Sequence, residues 1–210
     1  MTLAKARNHM KTLVIDTATR ACSVALFDGA QCLASSYEII GRGHAEKLLP
    51  FIAALPGKGR ADAIAVNIGP GSFTGIRVGV AAAKALAFAW GVPCAGYNCL
   101  ALVAAMAGSG QAVDVVMAGG HGEYFFQAFD AAGAAAEAPV SLTPQIAASR
   151  SHAALAAGDV ATAFVSMRGH GIANELLPDA RSWHLIASHS VLRASPFYGR
   201  APDAKPTMPV

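Results

Sequence analysis

The chain has 210 residues, of which 54% are apolar and only 14% charged, with a net charge of +3. That length fits one large or two small domains whose core needs no covalent staples. The weak positive charge is scattered, with no basic stripe and no interleaved aromatics, which argues against a surface built for nucleic acid. The low charge leaves apolar surface whose ordinary destination is another protein chain.

The pattern of elements starts at Lys11. Residues 1–9 have no apolar signal-peptide core and are placed outside the fold. Residues 12–16 read as a strand ending in Asp16, 21–27 as a second strand, and 31–38 as a third that returns after an Asp28-Gly29 hairpin signal. Gly41-Arg42-Gly43 breaks the chain. Residues 44–55 then place Ala45, Leu48, Leu49, Ile52 and Ala53 on one helical face, and Pro56-Gly57 stops them. A strand at 63–68 leads through a glycine-rich turn into a helix at 74–90. A short strand at 92–96 and a helix at 100–106 follow. This order, β-β-β-α-β-α-β-α, predicts a mixed sheet with helices on its faces. Composition loosens at 107–111, dividing the chain into a domain at 10–106 and a smaller one at 107–210. In the second, 113–118 and 123–129 read as paired strands, 160–167 as a strand, 188–194 as a short helix and 196–210 as an extended proline-rich tail.

Residues 76–92 are almost wholly apolar, but the run is short, carries Lys84 at its middle and ends at Pro93, so it reads as a buried helix, not a membrane span. Cys22, Cys32, Cys94 and Cys99 form no C-x-x-C pair and no zinc spacing. They read as small buried hydrophobes of a reducing compartment.

The segment 69–80, Gly-Pro-Gly-Ser-Phe-Thr-Gly-Ile-Arg-Val-Gly-Val, is the most informative in the chain. A phosphate-binding P-loop needs a Lys after its last Gly, and Ile76 stands there. A dinucleotide fingerprint needs its third Gly three residues after the second, whereas Gly71 and Gly75 are four apart. Close packing, on the chain's own sheet or on a partner, is preferred to a nucleotide cradle. Asp16, Thr17, Gly69, Gly71, Ser72 and Thr74 are therefore carried as nucleotide or turn positions, with Ser72 or Thr74 capping the helix. Arg77 sits unfavourably in a first helical turn and is placed to meet an acidic group on a partner or ligand. The helix after the loop is lined by Gly79, Ala81, Ala82, Ala83, Ala85, Ala87 and Ala89, so another helix can approach closely. Both it and 44–55 have apolar residues on more than one side. His44 has Leu48, not a ligand, at i+4. No metal pair and no Ser-His-Asp set is defined, and no catalytic residue is assigned.

Four segments resemble the TsaB (YeaZ) family of bacterial tRNA threonylcarbamoyladenosine biosynthesis proteins. They are Leu-Val-Ile-Asp-Thr-Ala-Thr-Arg-Ala-Cys-Ser-Val-Ala-Leu at 13–26, His-Ala-Glu-Lys-Leu-Leu-Pro at 44–50, the glycine segment at 69–79 and Tyr-Gly-Arg-Ala-Pro-Asp-Ala-Lys-Pro at 198–206. The resemblance implies an α/β, actin/Hsp70-like (ASKHA, ribonuclease H-like) fold of two subdomains, mixed sheets flanked by helices, the second subdomain reduced. It implies a cytoplasmic scaffold that binds and activates a TsaD-like catalytic subunit beside a TsaE-like ATPase, forms a homodimer in isolation and meets tRNA only indirectly. ATP and a metal then belong to the partner subunits. The sister's two metal-binding histidines align with Cys99 and Val103, and Val binds no metal. Partner pairing falls to His44, Ala45, Leu48, Leu49, Ile52, Arg77, Val80, Ala83, Lys84 and Ala87. One departure stands out: where the family commonly has Asp-Ala-Arg-Arg-Gly-Glu, residues 118–123 are Ala-Gly-Gly-His-Gly-Glu. The alternative is a nucleotide-binding or phosphotransferase protein of the same fold acting alone. Peptidase chemistry of the M22 type finds no support in these residues.

Overall fold

A computed structural model describes residues 10–199 apart from 109, 136, 190 and 191. β1 (Lys11–Asp16), β2 (Ala21–Asp28) and β3 (Gln31–Ile39) form an antiparallel meander, and α1 (His44–Ala54) follows. β4 (Ala63–Asn67) adds parallel to β1, α2 (Phe73–Trp90) crosses over, and β5 (Cys94–Tyr97) adds parallel to β4. α3 (Cys99–Ala107) leads into a second sheet built from β6 (Val113–Ala118), β7 (Tyr124–Phe129), β8 (Val140–Leu142), β9 (Leu155–Ala157) and β10 (Ile172–Asn174). α4 (Pro144–Arg150) and α5 (Ala161–Arg168) belong to that half, and β11 (Leu192–Arg193) returns to the first sheet, antiparallel to β5. The strand orders are β11-β5-β4-β1-β2-β3 and β10-β9-β6-β7-β8.

Burial explains why β1 and β2 read as unbroken apolar runs. Leu13, Ile15, Val24, Leu26, Ile64 and Val66 point to one face, where they meet Leu48 and Ile52 of α1 and Ile76, Val80, Ala83 and Ala87 of α2. The alternate residues Val14, Ala25, Phe27 and Ala65 meet Leu102 of α3 and Ala180, Trp183 and Ile186 on the other face. A sheet covered on both sides has no polar alternation to show. α3 is shared between the sheets: Leu102 packs on the first, while Leu100, Val103 and Ala104 join Val113, Val115, Phe125 and Leu155 of the second.

Several expectations change. Residues 160–167 are not a strand. They lie in α5, whose Ala161 and Phe164 are buried at helical spacing and which ends on Gly169 at φ 80. Residues 188–194 are not a helix: after a single turn at Ala187–His189, Leu192–Arg193 pairs with the otherwise open edge of β5. The strand expected at 92–96 begins later, because the Val92 amide donates to the Ala87 carbonyl and completes the end of α2. Residues 1–9 and 200–210 lie outside the described residues. Among the described residues, α2 is the one helix long and apolar enough to cross a membrane; its Ile76, Val80, Ala83 and Ala87 pack on the sheet.

The second half carries a buried ion pair. Asp114 on β6 accepts hydrogen bonds from the Ser151 hydroxyl (2.6 Å) and from the amides of His152 (3.1 Å) and Ala153 (3.0 Å). Arg168 Nη1 lies 3.5 Å from its Oδ2, and both side chains are 2% exposed. The same guanidinium donates to the Ser151 hydroxyl and to the Ala153 carbonyl (2.9 Å). This cluster ties α5 to the loop entering β9. Removing one partner strands a buried charge, so Arg168→Ala is expected to lower unfolding free energy by about 3 kcal/mol in a urea titration.

Candidate functional site

The end of β1 faces inward. Asp16 is 1% exposed. Its Oδ1 accepts from the Ala18 amide (3.1 Å), and its Oδ2 accepts from Asn67 Nδ2 (2.7 Å) and the Tyr97 hydroxyl (3.0 Å). One carboxylate thus joins β1, β4 and β5. Asn67 in turn accepts the Gly69 amide (2.8 Å), which sets the start of the glycine loop. Burial raises the Asp16 carboxyl from its ordinary 3.8 to about 6, against the pull of those three donors. Burial likewise lifts Tyr97 and Cys99 well above their ordinary values.

The sign of the pH effect follows. Folded Asp16 binds its proton more tightly than unfolded Asp16. Its contribution to stability is therefore most favourable below pH about 4 and is lost as pH rises through about 6, an amplitude of about 3 kcal/mol. Urea titrations from pH about 4 to 8 on the wild type and on Asp16→Asn are expected to show the wild type losing ground to the variant as pH rises. A difference independent of pH would contradict the assignment.

The glycines meet the chain itself. A Cβ on Gly71 would lie 2.2 Å from the Ala18 carbonyl oxygen, one on Gly75 2.1 Å from the Thr17 carbonyl oxygen, and one on Gly79 2.4 Å from Thr17 Oγ1. The Thr17 hydroxyl donates to the Gly75 carbonyl at 2.7 Å. Three glycines spaced by four thus lay the start of α2 flush on the β1–β2 turn, so the closely approached chain is its own. Ser72, not Thr74, is the cap: its Oγ accepts the Gly75 amide at 3.2 Å. The Gly69, Ser72 and Gly75 amides are all engaged within the chain. The Asp16 carboxylate and these three amides are thus turned to protein partners. Among the described residues, no three His, Cys, Asp or Glu side chains gather as a metal site.

Between the sheets lies a cleft of about 920 Å³, bordered by Arg20, Ser72, Phe73, Arg77, Met117, Phe125, Asp159 and Tyr198. Among the described residues, Arg77 reaches no carboxylate. Its guanidinium stacks 3.7 Å over Phe73, and its Nε donates to the Tyr198 hydroxyl at 2.9 Å. The departure at 118–123 forms the cleft's far rim, where the Gly119 amide donates to the Glu123 carbonyl (2.7 Å) and Glu123 accepts from the Ser141 hydroxyl (2.6 Å).

The expected pairing residues divide. Leu48, Ile52, Val80, Ala83 and Ala87 are core residues of the first half, and His44 is buried with Nε2 donating to the Ala21 carbonyl at 3.2 Å. Ala45, Leu49, Arg77 and Lys84 are exposed. Sequence reasoning passed over the most exposed apolar group on α2, Phe88, at 91%, and also Phe73 at 55%. Phe73, Arg77, Ala81, Lys84 and Phe88 recur at helical spacing on one outward stripe. That spacing was readable; which apolar stripe turns outward was not. Asn67 and Tyr97, polar groups among apolar strand residues, were the available signal for the Asp16 network.

Two mixed sheets flanked by helices, with a cleft between them, define an actin/Hsp70-like fold. The family model for TsaD, tRNA N6-adenosine threonylcarbamoyltransferase, matches residues 37–154, more than half of the chain. The tRNA threonylcarbamoyladenosine biosynthesis protein TsaB of Escherichia coli K12 is 39% identical over 100 residues, 45% of this chain and 43% of that protein. An uncharacterized protein of Mycobacterium leprae is 36% identical over 159 residues, 68% of this chain and 44% of that one. Each match thus spans less than half of the curated relative. The solved structure of YeaZ from Pseudomonas aeruginosa superposes with a TM-score of 0.76 at 29% identity, covering 90% of this chain and 99% of that one. A second solved Pseudomonas aeruginosa protein, described as similar to peptidase YEAZ, gives 0.78 at 29% identity over 91% and 100%. The chain belongs to the TsaB (YeaZ) family, within the wider group that the threonylcarbamoyltransferase model describes.

Proposed function

We propose that the chain is a non-catalytic scaffold in the synthesis of N6-threonylcarbamoyladenosine at position 37 of tRNAs reading ANN codons. It docks on a TsaD-like catalytic subunit, holds that subunit in its active form beside a TsaE-like ATPase, and pairs with itself when alone. The observation that carries this reading is the outward stripe of α2. Phe88 at 91% and Phe73 at 55% exposure flank small and basic side chains, and Leu49 of the adjacent α1 is 54% exposed. A large aromatic left in water on a stiff helix gains about 2 kcal/mol when a partner covers it. Small neighbours such as Ala81 and Ala85 let the partner's backbone come close.

Co-purification with the TsaD-like protein of the same genome tests the docking. A stable pair is expected, and its absence would refute the reading. ATP and metal chemistry is assigned to the partner subunits, since Asp16 and the Gly69, Ser72 and Gly75 amides are already engaged. Calorimetry of the isolated chain with ATP–magnesium is expected to give no binding heat. Micromolar binding would favour a nucleotide-binding protein acting alone.

A further inference from the structure

We propose that residues 196–199 are a strap that sets the width of the interlobe cleft, with Tyr198 as its releasable bolt. β11 delivers the chain from the edge of the first sheet. The Phe197 amide donates to the Ile68 carbonyl at 2.8 Å, and the Phe197 carbonyl oxygen lies 2.5 Å from where a Cβ on Gly69 would stand. The strap is therefore seated against the start of the glycine loop. The Tyr198 ring lies 5.1 Å from Phe73, and its hydroxyl accepts from Arg77. A Cβ on Gly199 would lie 3.0 Å from both Pro70 and Phe125. Pro70 belongs to the glycine loop of the first half, and Phe125 to β7 of the second.

Three consecutive residues, Phe197, Tyr198 and Gly199, thus touch the loop, α2 and the opposite sheet. Pro70, Phe73, Arg77, Phe125 and Tyr198 all border the cleft, so the strap is one of its walls. The lobes are also joined by the buried core of α3, where Leu100, Val103 and Ala104 pack with Phe125 itself. The two connections differ in kind. The α3 side is packed and dry, whereas Arg77 is exposed and Tyr198 half-buried, which keeps the bolt's stacking and hydrogen bond weak enough to release. Opening on the strap side with α3 as the fixed edge is the motion this asymmetry permits.

The test uses the full chain, Tyr198→Ala and Tyr198→Phe, followed by residue-resolved hydrogen exchange. Distances are read between spin labels at Lys84→Cys and Ala128→Cys in a background with Cys32→Ser and Cys94→Ser. Tyr198→Ala is expected to speed exchange of the Phe197 amide about tenfold and to broaden the label distances to longer values, while the β1 amides keep their protection. Tyr198→Phe, which keeps the ring and loses the hydroxyl, is expected to fall between. Unchanged Phe197 exchange and label distances in a folded Tyr198→Ala chain would overturn the proposal. Should Tyr198→Ala lose its β1 protection, Tyr198→Phe decides on the same two readouts: intermediate values sustain the strap and wild-type values overturn it.

Discussion

Gly75→Ala is expected to lower unfolding free energy by at least about 3 kcal/mol. The added Cβ would stand 2.1 Å from the Thr17 carbonyl oxygen, and Thr17 cannot yield. It lies between β1 and β2, and its hydroxyl is bonded to Gly75 itself. Moving α2 outward instead would open the packing of Ile76 and Val80 on the sheet. Gly120→Ala is the control, because nothing lies within 4 Å of that site. It is expected to change stability by less than about 0.5 kcal/mol. Urea titration of both variants reads the difference. Equal, small effects would mean that the glycine loop serves something other than close packing on the β1–β2 turn.

Phe88→Arg is expected to weaken association with the proposed catalytic partner about a hundredfold or more, with little change in the stability of the isolated chain. The ring is 91% exposed, so the monomer loses almost no packing when it goes. A cation in its place must be desolvated at the centre of an apolar contact. Val80→Arg separates the two stripes of the same helix. Val80 is 4% exposed and packs on β1 and β4, so a charge there is expected to unfold the chain, at about 4 kcal/mol or more. Binding measured by analytical ultracentrifugation, with urea titration of each variant, distinguishes the two effects. Undiminished binding by Phe88→Arg would move the interface elsewhere.

Much of the first half was legible because its strands are long and bounded by strong stops. Asp28-Gly29, Gly41-Arg42-Gly43 and Pro56-Gly57 each fall between elements where the sequence predicts a break. The second half was not. β8, β9 and β10 have three residues each, too few to display any period. In α5, alanine and valine fit a strand pattern as well as a helical one, and the short segment shows its helical stop only at Gly169. The glycine loop was legible as a close approach, but its partner was not. Only the structure brings Thr17 and Ala18 against Gly71, Gly75 and Gly79, about sixty residues along the chain. The outward stripe of α2 was ambiguous for a related reason. A helix apolar on two sides does not reveal which side its own sheet will take, and here the sheet took Val80, Ala83 and Ala87, leaving Phe88 outside.

The most direct test of the central claim, that this chain acts by being docked on and not by chemistry of its own, is the rate of tRNA threonylcarbamoylation by the reconstituted TsaD-like and TsaE-like proteins as this chain is titrated in. The account predicts that the rate rises from background to a plateau with the wild type and stays at background with Phe88→Arg. A full rate without this chain, or a full rate with Phe88→Arg, would contradict it.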